Sequence, residues 1–305
     1  MCVQTARQTC AIEHTWHACR LLLIWCLTFS ASIIVGERAL SAAPSDETER
    51  NCLPVCECSM AASRNDSVAE SPNFVITSFV NGPKAADVAN HCESICSYLR
   101  ANVFDLSPNA RWQPKCHVVF HNSREAYKRT VGTSGSQTIG SSTITFVGGR
   151  VSQRRIDLLA VNWKQGLSAL PHELVHILFA DAFPKTAPPK WAEEGMALLF
   201  DPPDKKARHE RDLDLAISSN TTLSLDRLLA DVDYPSASRR AAFYAQSLSL
   251  VDYMTRLNSP KDFVRFASLS TQYGPDHALS VVYKMDAKQL GRSWTTYAAN
   301  SRRQK

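Results

Sequence analysis

The sequence predicts an α+β fold: an N-terminal mixed sheet with helices, followed by a mostly helical half. Three observations carry that prediction. Short runs rich in Val, Ile, Thr and Phe lie between residues 74 and 161. From Ser168 onward apolar residues recur almost entirely at helical spacing. Strands mixed with helices come first and helices alone come after, with no internal repeat.

The elements follow in order. Phe74–Phe79 has strand composition. Pro83 opens a helical pattern in which Ala86, Val88, Ala89, Cys92, Cys96 and Leu99 share a face, running to about Val103. Cys116–Phe120 is a second strand, and Ser123 is placed to cap a short helix through Tyr127. Gly132–Gly140 is a loop rich in Gly, Ser and Thr. It has neither the phosphate-cradling G-x-x-x-x-G-K-[ST] spacing nor the G-x-S-x-G serine-hydrolase pattern. Thr143–Val147 and Arg155–Val161 read as strands around a turn at Gly148-Gly149.

With 305 residues, 44% of them hydrophobic, the chain can bury a substantial core. Its formal charge of +5 is scattered among acids, as in Lys205–Asp212, and a nucleic-acid binder would concentrate it on one face. Residues 1–43 read as a signal peptide or N-terminal anchor. Arg20 precedes the apolar run Leu21–Val35, and the small residues Ala39–Ala43 follow. That run falls short of the ~20 residues needed to span a bilayer. The expectation is an exported protein, periplasmic or extracellular, touching a membrane only if the leader stays uncleaved. Residues 44–71 read as a polar linker containing cysteines, 72–300 as the folded domain and 301–305 as a basic tail. Beyond the leader the cysteines are Cys52, Cys56, Cys58, Cys92, Cys96 and Cys116. An even number in an exported chain predicts disulfides, with the pairing open.

The chemistry concentrates in Pro171-His172-Glu173-Leu174-Val175-His176, an H-E-x-x-H inside an apolar helical pattern. Positions i and i+4 stack on one helix face, so both imidazoles can reach one ion. Glu173 projects from the adjoining surface, where it can reach a water without binding metal. Two neutral histidines and an acid are costly to bury unpaired, and zinc supplies a reason for them. A short loop later comes Lys190-Trp191-Ala192-Glu193-Glu194-Gly195-Met196-Ala197.

This pair of segments resembles the gluzincin zinc metallopeptidases, whose third ligand is a glutamate in a W-x-x-E-G pattern on the next helix. The resemblance implies a zincin-like catalytic half and one zinc per chain, held by His172, His176 and Glu194, with the fourth tetrahedral position open for water. Glu193 is the neighbouring alternative, about 100° away on the same helix. The order of elements is similar to that of exported bacterial proteins labelled peptidase-MA-like, over roughly residues 72–300. Their downstream helix often carries Tyr-Ala-Gln, matched here by Phe243-Tyr244-Ala245-Gln246. The implied mechanism makes Glu173 the general base and Tyr244 a hydrogen-bond donor to the oxyanion, or else a core tyrosine. The implied substrate is a peptide or protein; oligomeric state is open.

Rival readings are an exported zinc-binding module without turnover, an amidase acting on cell-wall material, and a disulfide-stapled structural protein whose H-E-x-x-H is accidental. An intramembrane protease is disfavoured, because the motif is not in a membrane-length apolar span. His91 precedes the site. His117 and His121 share a strand face, lining a cleft or solvated or in the core. Asp201 is a partner for a histidine ligand or a helix terminator before Pro202-Pro203. His209 belongs to a charged, solvated run, and Trp294 is a core anchor.

Overall fold

A computed structural model of the chain describes residues 62–63, 67–230 and 233–303. The expected leader, Cys52, Cys56, Cys58 and the last two residues of the tail lie outside the described residues. The first half contains β1 (Ala62–Ser63), β2 (Val68–Glu70), β3 (Phe74–Ser78), β4 (Gly82–Pro83), α1 (Ala85–Asn102), β5 (Cys116–His121), α2 (Arg124–Val131), β6 (Gly140–Val147) and β7 (Arg150–Leu159). The second half contains α3 (Trp163–Ala182), α4 (Lys190–Leu198), α5 (Pro203–Ser218), α6 (Leu225–Ala230), α7 (Arg240–Leu257), α8 (Pro260–Tyr273), α9 (Pro275–Val282) and α10 (Ala287–Arg303). This is the α+β order expected from sequence. Strand β2 lies within the segment read as linker, and α10 runs into the segment read as tail.

The main sheet has strand order β2-β3-β5-β7-β6. β3, β5 and β7 run parallel, and the edge strands β2 and β6 are antiparallel to their neighbours. Register puts Phe74 beside Cys116, and Val118 beside Ile156. Alternate residues share a face, so one face presents Phe74, Ile76, Cys116, Val118, Phe120, Ile156 and Leu158, all buried. α1 and α3 pack on the sheet there. α2 covers part of the opposite face, with Tyr127 fully buried beneath it. Ser123 caps α2 as expected, its Oγ accepting from Ala126 N at 3.2 Å.

Cys92, Cys96 and Cys116 are buried and free, so the disulfides expected from the cysteine count are not found among the described residues. These thiols fill the core between α1 and β5 as small apolar groups, and burial pushes their pKa values up. His117 is exposed, whereas His121 is buried and pairs with Asp157 Oδ1 at 2.7 Å. Arg155 holds the same carboxylate. Both histidines lie on the face of β5 opposite the one that α1 and α3 cover.

In the helical half, α7 packs against α4, α5, α8 and α10. Trp191 of α4 is buried against Phe263 and Phe266 of α8, ring centroids 5.8 and 6.2 Å away. Trp294 is buried, its indole N–H donating to Ser249 Oγ at 3.1 Å. Among the described residues no helix is long and apolar enough to cross a membrane.

The fully buried Gln246 ties α7 to the chain before α6. Its Oε1 accepts from Leu223 N at 2.7 Å and its Nε2 donates to Leu223 O at 2.9 Å. Gln246→Leu leaves both main-chain groups buried and unpaired, at about 1–3 kcal/mol each. We expect a loss of about 2–4 kcal/mol, measured by urea unfolding; an unchanged midpoint would mean that this clamp contributes nothing.

Candidate metal centre

Helix α3 is fixed at both ends before it presents any chemistry. Asn162 caps it by accepting from Lys164 N at 3.0 Å. Near its far end Asp181 accepts from Arg154 Nη2 at 2.6 Å and from the Trp112 indole, which ties the helix to β7. Residues Ala169–Val175 of the helix are buried, so the motif sits in the interior at the level of the sheet edge.

One turn apart on this helix, His172 and His176 converge, with Nε2 atoms 3.3 Å apart. Helix α4 brings in Glu194, whose Oε2 lies 3.9 Å from His176 Nε2. One ligand atom from each of His172, His176 and Glu194 lies within 4.8 Å of the others, a group that could hold a metal ion. Two imidazole nitrogens each ~2.0–2.1 Å from one tetrahedral ion stand about 3.3 Å apart. The spacing therefore fits a shared ion.

Each histidine backs onto a carboxylate, and each carboxylate onto a lysine. His176 Nδ1 is 2.9 Å from Glu193 Oε1, and Glu193 Oε2 is 2.7 Å from Lys190 Nζ. His172 Nδ1 lies 3.2 Å from Asp201 Oδ1, off the line of a hydrogen bond, and Asp201 Oδ2 is 2.8 Å from Lys205 Nζ. Such carboxylates fix the ring and turn its other nitrogen outward. Burial works against charge on both acids, but the histidine and lysine beside each outweigh it; Glu193 is held at about 2 and Asp201 also falls below its ordinary value. Burial likewise opposes charge on His176, yet Glu194 and the hydrogen bond to Glu193 pull it up to about 9. Glu193, the alternative ligand, thus points to the back of His176 and Glu194 to the front. Asp201 both follows α4 and partners a histidine.

Glu173 is 7% exposed and lies against the main chain of Gly140, the first residue of β6. A Cβ at Gly140 would come within 2.9 Å of the Glu173 Cδ, so glycine makes room for the carboxylate at the sheet edge. Tyr244 of α7 is half-buried, and its hydroxyl makes no hydrogen bond to a described residue. Burial and then the Glu194 charge push that hydroxyl up to about 12, so it stays protonated. His209 of α5 sits beside it, ring centroids 6.2 Å apart, and is half-buried where a fully solvated residue was expected. His91 lies on α1 and takes no part.

Sequence reading missed Tyr234, whose hydroxyl donates to Glu194 Oε1. It comes from the irregular chain before α7, with neither motif nor periodicity to mark it. Burial, then the charge of Glu194, pushes its hydroxyl well above the ordinary tyrosine value.

The model of the Peptidase MA superfamily matches residues 143–300, which include both metal segments and α7. The chain belongs to the Peptidase MA superfamily. No curated protein and no solved structure gives a significant match. Membership in the Peptidase MA superfamily makes a metallopeptidase-like hydrolase the coarse assignment, and the gluzincin resemblance read from the motifs agrees with it.

Proposed function

We propose that this member of the Peptidase MA superfamily is a zinc-dependent, gluzincin-type peptidase holding one zinc through His172, His176 and Glu194. The observation that carries the reading is the convergence of two Nε2 atoms 3.3 Å apart beside a buried carboxylate oxygen. Two imidazoles and one carboxylate form the donor set of a catalytic zinc with its fourth position open. When bound, zinc supplies a polarised carbonyl and a more acidic water.

The protein's own groups do the rest. Glu173 takes the proton of the attacking water and delivers it to the leaving nitrogen. Tyr244, whose hydroxyl has no hydrogen bond among the described residues, donates to the developing oxyanion. Glu193 keeps the His176 imidazole aimed through its hydrogen bond, and Asp201 stands behind His172. A peptide substrate is favoured by β6, an edge strand that is half-buried or exposed along its length and starts beside Glu173. An extended peptide can add to such an edge through main-chain hydrogen bonds.

The test is metal content of the purified, metal-replete chain beside a His176→Ala variant. We expect about one zinc per chain, lost in the variant because only two protein ligands remain. A folded chain without zinc would sink the metallopeptidase reading.

A further inference from the structure

The third member of the ligand set is held from outside the two metal segments. Glu194 has two oxygens with different neighbours: Oε2 faces His176 Nε2 at 3.9 Å, and Oε1 accepts the Tyr234 hydroxyl. Tyr234 lies in the chain between α6 and α7 and is 42% exposed. Its ring rests on Phe243 and Tyr244, centroids 6.0 and 6.4 Å away, with Lys190 Nζ 5.8 Å from the ring centre. A surface residue thus reaches inward to a buried carboxylate that is 6% exposed.

We propose that Tyr234 is a positioning residue that makes Glu194 a one-oxygen ligand. A carboxylate can meet a metal through one oxygen or both. A phenol donating to Oε1 engages that oxygen and turns Oε2 alone toward the histidines. The protein then contributes three ligand atoms rather than four, and a coordination position stays open for water or substrate. The inference rests on the zinc-peptidase reading above and adds to it a residue outside both motifs. It also places the control of ligand geometry on a surface segment.

The experiment titrates zinc into the metal-free full chain against a chelating dye, for wild type, Tyr234→Phe and Glu194→Gln. Metal-free melting temperatures and the visible spectra of the cobalt-substituted proteins are recorded alongside. Removing the hydroxyl is expected to weaken zinc binding about 10–100-fold, the usual effect of losing a group that orients a ligand. The metal-free melting temperature should not move, because the ring remains. Cobalt absorption should lose intensity as the freed Oε1 joins the metal and a four-coordinate site becomes five-coordinate. Equal zinc affinity in wild type and Tyr234→Phe, with Glu194→Gln weakened, overturns this inference and leaves the peptidase reading intact. A parallel fall in metal-free melting temperature makes Tyr234 a packing residue and also overturns it. A wild-type chain that binds no zinc overturns both readings.

Discussion

Glu173→Gln is expected to bind zinc as wild type does and to lose about 10²–10⁴-fold in turnover, the contribution of a positioned general base. That corresponds to about 3–5 kcal/mol of barrier. The amide has nearly the same shape, so it still fits against Gly140, where space is limiting. It cannot accept a proton at neutral pH. Glu173 lies outside the ligand group of His172, His176 and Glu194, so metal retention and activity should separate cleanly. The measurement is cleavage of a mixed peptide library followed by mass spectrometry, with zinc content determined on the same samples. Turnover within a few-fold of wild type would remove Glu173 from the mechanism. Loss of zinc together with activity would instead make it part of the ligand set.

Local pattern made most of this molecule legible. The hydrophobic periodicities placed β3, α1, β5 and the start of α2 within a residue or two, because each is an amphipathic or buried segment bounded by a Pro, Ser or polar stretch. The candidate metal site was legible for the same reason. His172 and His176 are brought together by helix geometry alone, which spacing expresses directly. Glu194 needed a second helix, and only its resemblance to a known pattern tied it to the first. What failed to show in sequence depends on long-range pairing. Burial of His121 needs Asp157 on another strand, and whether Glu193 or Glu194 joins the two histidines depends on how α4 rolls against α3. Tyr234 reaches Glu194 through an irregular segment with no period to read. The disulfide expectation is not met among the described residues, where Cys92, Cys96 and Cys116 are free and fill the core, while Cys52, Cys56 and Cys58 lie outside them.

Gly195→Ala is the substitution expected to do most damage per atom added. A Cβ there would meet Ser247 O at 2.5 Å and Ser247 C at 2.9 Å, both main-chain atoms of α7, as well as Val251. Two effects oppose each other. Alanine in a helix interior gains about 1 kcal/mol over glycine. Overpacking a close contact costs about 1–3 kcal/mol, and a main-chain oxygen inside a helix cannot rotate aside as a side chain would. We therefore expect a net loss of about 0–2 kcal/mol, at the upper end because the clash is with main-chain atoms, read as a melting point lower by a few degrees. The functional loss should be larger. To relieve the clash α4 must back away from α7, carrying Glu194, the preceding residue, with it. A displacement of ~1 Å at a reacting centre can cost about 10²-fold in rate. Zinc affinity should fall as well, since Oε2 would leave its place beside His176 Nε2. The close approach at Gly195 sets the separation of α4 and α7, and that separation sets the reach of Glu194. A Gly195→Ala protein with wild-type stability and zinc affinity would show that α7 yields and that the ligand's position is fixed elsewhere.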